Sequence, residues 1–148
     1  MGRLKKSRAK QNSRKGGIYT LILGLEKSRA LEVGGLGCIS FTRGFYAYTG
    51  SAQVSFKRVL RHLKVAAGTN TTKRWHIDYL LPQTRPLAVI LSPGKEEECL
   101  IAQRLAIDFP GVMGFGSSDC QCPSHLHWSR DFKRLKKAAI SAHNTLPS

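Results

Sequence analysis

Five residues of this 148-residue chain, spread over its first hundred positions, have the types needed to attack a phosphate ester with water. They are Tyr19, Tyr48, Arg58, His62 and Glu98. Such a reaction needs an activated water, charge neutralisation on the phosphate and a stabilised leaving oxygen. Tyr19 suits the positioning or deprotonation of the water, although a phenol of reference pKa about 10 is a poor base unless cationic neighbours lower it. Arg58 suits that field and grips phosphate through its planar fork. Tyr48 suits orientation of the water or of a substrate oxygen, and His62 suits proton transfer or a phosphate contact. Glu98 lies on a helical stripe with Ile101, Ala102 and Leu105 at i+3, i+4 and i+7, while Glu96 and Glu97 point elsewhere. A carboxylate turned toward a core is costly unless paired or coordinating, so one Mg²⁺ or Mn²⁺ at Glu98 is the expectation. The rival is an acid favoured near a helix N-terminus by the macrodipole. His76 and Asp78 flank Ile77 and share a face if the chain is extended there; both are secondary candidates.

A second group lies downstream: Cys120, Cys122, His125 and His127, with Cys99 as a further thiol. Thiolate and imidazole are zinc ligands, but C-x-C-x₂-H-x-H is not a standard finger spacing. Buried thiols and satisfied histidines are the first expectation and Zn²⁺ the second. Cys120 and Cys122 are too close in sequence to bridge each other comfortably, and cysteines of an intracellular chain are expected reduced. The loop Gly111–Asp119 lacks the Lys and the spacing of a P-loop, so no small-molecule nucleotide is expected.

The elements that must position these residues are short. GIYTLILGL from Gly17 reads as a buried strand, ALEVGGLGCISF as a second with a glycine bend, and FYAYTGS as a third, together an antiparallel meander. Residues 53–66 form an amphipathic helix whose apolar stripe is Phe56, Val59, Leu60 and Leu63, with Arg58 and His62 sharing the face away from it. WHIDYLLP is a short apolar segment and LAVILS a further strand candidate. Ser92-Pro93 reads as the cap and first position of a second helix, running to about Phe109. A last helix carries Arg130, Lys133, Arg134, Lys136 and Lys137 outward, with Phe132 and Leu135 as anchors.

Lys plus Arg number 24 against nine Asp plus Glu, a net charge of +15. That surplus points to a polyanionic partner: nucleic acid, DNA before RNA. Residues 1–16 read as a basic arm contributing Arg3, Lys5, Lys6, Arg8, Lys10, Arg14 and Lys15, and Lys133, Arg134, Lys136 and Lys137 supply a second phosphate-binding patch. No apolar run approaches the roughly 20 residues of a spanning helix, and no apolar stretch follows the basic N-terminus. No membrane partner and a cytoplasmic location are therefore expected. A membrane-surface role is disfavoured because no helix joins a strong basic face to a broad aromatic one.

The ordered series GIY at Gly17–Tyr19, YTG at Tyr48–Gly50, then SAQVSFKRVLRH with Arg58 and His62, and Glu98 opening a later helix, resembles the GIY-YIG nuclease superfamily. WHIDYL and GFGSSDCQCPSHL further resemble an uncharacterised single-domain prokaryotic branch of it, the likeness covering roughly residues 17–127. It implies an α+β domain, a small mainly antiparallel three-stranded sheet flanked by helices, over residues 17–128, followed by a basic helix and tail over 129–148. It also implies metal-dependent endonucleolytic hydrolysis leaving 3′-hydroxyl and 5′-phosphate ends, with Arg58 as essential arginine and Glu98 as metal ligand. Two departures stand out. The interval between Tyr19 and Tyr48 is wider than in better-known members, placing an extended hairpin between them, and Thr49 replaces an isoleucine. A non-catalytic nucleic-acid-binding module on the same scaffold is the rival function.

Overall fold

A computed structural model describes residues 16–147. The chain runs through β1 (Gly17–Leu25), β2 (Arg29–Glu32), β3 (Cys38–Phe41), β4 (Gly44–Ala52), α1 (Lys57–Ala67), α2 (Ile77–Leu80), β5 (Arg85–Pro93), α3 (Glu98–Asp108), β6 (Leu126–Ser129) and α4 (Phe132–Asn144), with short 3₁₀ turns at Gly34–Leu36 and Leu81–Gln83. The class is α+β, as expected. The main sheet has four strands, not three, in the order β5-β1-β4-β6, and the named pairings β1–β4, β1–β5 and β4–β6 are all antiparallel.

The expected meander is corrected in one respect. ALEVGGLGCISF is not a middle strand but a separate hairpin, β2 paired with β3 around the 3₁₀ turn, so β1 pairs directly with β4. Its inner residues Val33 and Phe41 are buried under the main sheet, with Leu31 and Ile39 packed alongside. This is the hairpin implied by the long interval between the two tyrosines.

Strand alternation divides the core in two. Tyr19, Leu21, Leu23 and Leu25 of β1, with Tyr46 and Tyr48 of β4, face the β2–β3 hairpin, α1 and α2. Ile18, Ile22 and Ala47 face the opposite side, where Ile101, Leu105 and Phe109 of the α3 region meet Leu135, Ala139 and Ala142 of α4. The C-terminal helix is thus an integral wall of the second core. Its start is fixed by Asp131, whose carboxylate accepts the backbone N–H of Arg134 at 3.1 Å.

Three local expectations give way. Ser92-Pro93 does not open a helix: both residues end β5, an edge strand where the missing proline N–H is tolerated, and α3 begins only at Glu98. The segment WHIDYLLP turns helical from Ile77, so the extended geometry under which His76 and Asp78 would share a face is not adopted; Ile77, Leu80 and Leu81 are buried. Helix α1 is rotated from its expected register. Val59, His62 and Val65 point inward, while Leu60 is 59% exposed.

Candidate functional site

The antiparallel register of β1 and β4 sets Tyr19 opposite Gly50 and Leu21 opposite Tyr48. Both tyrosines project from the same face, ring centroids 6.4 Å apart. Gly50 makes this possible. A Cβ at that position would lie 2.5 Å from the Tyr19 hydroxyl oxygen and 2.6 Å from the ring carbon bearing it, so the phenol lies across the strand where only glycine leaves room. Gly17 serves the neighbouring strand in the same way, since a Cβ there would run into the Ser92 carbonyl of β5.

The rotation of α1 brings His62 beneath the pair. Its Nε2 lies 2.8 Å from the Tyr19 hydroxyl, and its ring centroid is 5.5 Å from that of Tyr19, 6.0 Å from that of Tyr48 and 5.9 Å from that of Trp75. Its Nδ1 is buried without a hydrogen-bond partner. Burial lowers the His62 pKa to about 4, with Asp78 opposing and Arg61 and Arg58 adding to the fall, so the imidazole is neutral at physiological pH. The same forces act oppositely on the phenols. Burial raises both Tyr19 and Tyr48 well above the ordinary phenol range, and the lowering influence of Arg58 is outweighed. The expectation that cations would make Tyr19 an anionic base is thereby corrected: at neutral pH it is a phenol hydrogen-bonded to a neutral imidazole.

Arg58 is exposed and donates through Nη1 to the Ser51 carbonyl. Its guanidinium carbon sits 4.7 Å from the centre of the Trp75 ring, with those of Arg61 and Arg74 at 4.6 and 5.4 Å. Three cations thus share one indole, an arrangement that holds flat, positively charged groups in place at the mouth of the site. Arg61 is further tied to Asp78 at 2.9 and 3.1 Å and to the Thr72 carbonyl at 3.1 Å.

Tyr19, Tyr48, Arg58, His62 and Glu98 all line one open cavity of about 850 Å³, together with Lys57, Arg74, Trp75 and Asp119. Glu98 begins α3 and heads the buried stripe of Ile101, Ala102 and Leu105, as its spacing implied. Its side chain is only partly exposed, and burial raises its pKa, with His125 and Arg58 opposing and Asp119 adding. A cavity of similar size, about 890 Å³, lies at the other end of the sheet beside Arg43, Arg85, Trp128 and Arg130, and it holds none of the five residues.

The secondary candidates stand elsewhere. Asp78 is buried and fully engaged: besides Arg61 it accepts the backbone N–H groups of Arg74 at 2.7 Å and Trp75 at 2.9 Å. Burial alone would raise its pKa, but these donors hold it below the usual carboxylate value. His76 accepts the Gly116 N–H at its Nδ1, 3.0 Å, pinning the 111–125 loop. The helical turn separates the two residues, and neither lines the cavity.

The cysteine–histidine group is assembled, but not with the expected membership. The ligand atoms of Cys99, Cys120, Cys122 and His125 all lie within 4.8 Å of one another, an arrangement that can hold a metal ion. These thiols are half-buried and clustered rather than separately packed. His127 is not among them: it pairs with Ala47, whose side chain belongs to the second core. Its buried Nδ1 has no partner and burial lowers its pKa to about 4. Cys99 takes the fourth place, brought in by the first turn of α3.

Sequence reasoning missed Trp75 and Arg61, whose importance is a matter of stacking, and the buried chain Ser92–His143–Thr20–Thr49. In that chain His143 bonds Ser92 at 2.7 Å and Thr20 at 2.8 Å, and Thr20 lies 3.0 Å from Thr49. It ties the end of α4 to the sheet and makes Thr49 a polar partner within the core. Of the basic candidates, Lys133, Arg134, Lys136 and Lys137 are exposed on α4, whereas Arg3, Lys5, Lys6, Arg8, Lys10, Arg14 and Lys15 lie outside the described residues. Among the described residues no helix is long and apolar enough to cross a membrane.

No curated protein and no solved structure matches the chain. A family profile does match, over residues 18–148, a span that includes both tyrosines, α1, Glu98 and the whole cysteine–histidine group. The chain therefore belongs to the family described as domain of unknown function DUF123.

Proposed function

We propose that this chain is a metal-dependent endonuclease that hydrolyses phosphodiester bonds of nucleic acid, DNA before RNA, with the cavity around Tyr19 as its centre. The observation that carries the reading is the 2.8 Å hydrogen bond between Tyr19 and a neutral His62 on the wall of a cavity that also holds Tyr48, Arg58 and Glu98. A water in that cavity gives its proton to the Tyr19 oxygen as the phenol passes its own to His62 Nε2. No free phenolate is needed, which fits the raised pKa of Tyr19. An anionic phosphate in the cavity raises the basicity of His62, countering the effect of Arg58 and Arg61 in the free protein. Arg58 is the exposed guanidinium nearest the pair and grips the phosphate, while Tyr48 orients the water. Arg74 and Lys57 extend the positive rim.

A divalent cation fits at Glu98. The carboxylate is partly buried beside His125 yet opens on the cavity, and oxygen donors suit Mg²⁺ or Mn²⁺. When bound, the ion supplies charge neutralisation on the phosphate and the leaving oxygen.

The test is incubation of the full chain with duplex, branched, flapped and single-stranded DNA and RNA in Mg²⁺, Mn²⁺ or EDTA. Cleavage of at least one substrate is expected with either metal, lost in EDTA and in Glu98→Gln, with the Glu98→Gln fold intact by circular dichroism. Tight binding without cleavage of any substrate would establish the binding-module rival, and cleavage undiminished in EDTA would remove the metal role.

A further inference from the structure

We propose that Cys99, Cys120, Cys122 and His125 form a closed structural zinc site that clips the 109–125 segment to the start of α3. The metrics are those of a tetrahedron close to assembly. Zinc–sulfur bonds of about 2.3 Å and zinc–nitrogen bonds of about 2.0 Å require ligand atoms about 3.5–3.8 Å apart. Cys99 Sγ lies 3.8 Å from His125 Nε2 and Cys120 Sγ 3.3 Å from it, with all four ligand atoms within 4.8 Å of one another. Three thiols and an imidazole form a soft set that selects zinc over the oxygen-seeking Mg²⁺.

The second shell points the same way. His125 is buried, and its Nδ1 lies 3.1 Å from the Thr49 carbonyl oxygen, a pure acceptor, so Nδ1 carries the proton and donates. That bond leaves the Nε2 lone pair directed at the thiols, which is how metal-bound histidines are ordinarily oriented. Glu98 Oε2, 3.6 Å from the same Nδ1, adds a carboxylate beside it.

The fold supplies the reason for a clip. Between α3 and β6 the chain runs from Phe109 to His125 without a helix or strand, an unusually long irregular stretch inside a small domain. It must nevertheless place Phe115 in the first core and Gly116, Asp119 and Cys120 on the cavity wall. Four protein ligands leave no open position for substrate, so the ion holds structure and takes no part in chemistry. Cys99 adjoins Glu98, so the clip also holds the proposed Mg²⁺ ligand at the cavity; this consequence, unlike the zinc site itself, rests on the nuclease reading.

The full chain, purified without chelators, is expected to carry one zinc per molecule by elemental analysis and native mass spectrometry. Cys122→Ser should lose most of it, while Cys38→Ser, at an exposed thiol in the β2–β3 hairpin, should keep it. Cobalt exchanged into the wild type should show thiolate-to-metal charge-transfer and tetrahedral absorption bands. Because the Cys122 variant is open to folding failure, alkylation of the native wild type provides an independent readout. Cys38 should react at once, and Cys99, Cys120 and Cys122 only after a chelator is added. Alkylation of all four at one rate, cobalt without thiolate bands, a disulfide among the three, or iron in place of zinc would each overturn the proposal. Metal content and alkylation need no cleavage assay, so a chain that holds zinc and cuts nothing refutes the nuclease reading while supporting this one.

Discussion

Tyr19→Phe removes one oxygen from the centre of the proposed relay and little else. The ring keeps its place against Tyr48 and His62, whose centroids lie 6.4 and 5.5 Å away. The loss is the 2.8 Å bond to His62, whose Nδ1 already has no partner, so both ring nitrogens are then unpaired. An unsatisfied buried polar group costs about 1–3 kcal/mol. The cavity borders this position, so water can reach the vacated space and keep the cost near the lower end. About 1 kcal/mol corresponds to a fall of roughly 4 °C in melting temperature and leaves a domain with 5–15 kcal/mol of stability folded. The rate effect is of another order. Loss of a general base costs about 10²–10⁴-fold, or roughly 3–5 kcal/mol of transition-state stabilisation. Substrate affinity should hold, because the proposed grip on phosphate is that of Arg58 and the surrounding cations. The assay pairs single-turnover cleavage in Mg²⁺ with binding in Ca²⁺, and Arg58→Ala should lose both rate and affinity. Turnover of Tyr19→Phe within about tenfold of wild type would refute the relay, and a parallel loss of affinity would make Tyr19 a packing residue.

Three further outcomes follow from the same structure. Gly50→Ala must displace the Tyr19 ring, since its Cβ would lie 2.5 Å from the hydroxyl; overpacking of about 1–3 kcal/mol and a rate loss of order 10²-fold are expected, and a fully active, undestabilised variant would contradict the geometry. His62, His127 and His143 each have a folded pKa near 4 against an ordinary 6.5, lowered by burial. The unfolded chain therefore binds protons first, so stability is complete above about pH 6.5, falls as pH drops toward 4, and changes no further from these groups below that; at about 1.4 kcal/mol per pKa unit each contributes up to about 3 kcal/mol. Denaturant titrations across that range should show the fall, and a flat profile would mean the imidazoles are more accessible than the packing shows. Deleting residues 1–15, if about three or four of the seven cations engage phosphate, should flatten the log–log salt dependence of duplex binding by roughly three units, for unrelated sequences alike and without loss of saturated turnover. An unchanged slope would show the arm to be a bystander, and a sequence-selective loss would mean that it reads bases.

What the sequence makes legible here is whatever depends on local period. The apolar run GIYTLILGL marks β1 as a buried strand, and the helical spacing of Glu98, Ile101, Ala102 and Leu105 sets the carboxylate at the head of the buried stripe, although the helix starts at Glu98 and not at Ser92-Pro93. That difference has a local cause. Ser92-Pro93 has the composition of a helix cap, and only the pairing of β5 with β1 shows that both residues finish a strand. Features that depend on chemistry between distant segments are hidden. Hydropathy counts His62 as polar and Leu60 as apolar, which turns α1 the wrong way. The structure buries the histidine because two tyrosines and Trp75 surround it, and leaves the leucine outside. In the cysteine group the spacing Cys120, Cys122, His125 is readable, but no local rule brings in Cys99 or leaves His127 out.

The two groups of chemistry-bearing residues, separate in the sequence, converge on one wall of the fold. Cys120 and His125 line the same cavity as Tyr19 and Arg58, and Glu98 and Cys99 are consecutive residues at the head of α3. Their division of labour follows from donor chemistry. The thiols and imidazole face one another with no oxygen ligand among them, while the carboxylate beside them opens onto a cavity rimmed by cations. A soft ion in the first set and a hard one at the second would be complementary rather than competing. Stripping both with a strong chelator and restoring Mg²⁺ alone should recover only part of the cleavage rate, and restoring zinc alone none. Zinc with Mg²⁺ should recover all of it. Full recovery by Mg²⁺ alone would separate the clip from the proposed metal-binding carboxylate and leave Glu98 positioned by the packing of α3 against the sheet.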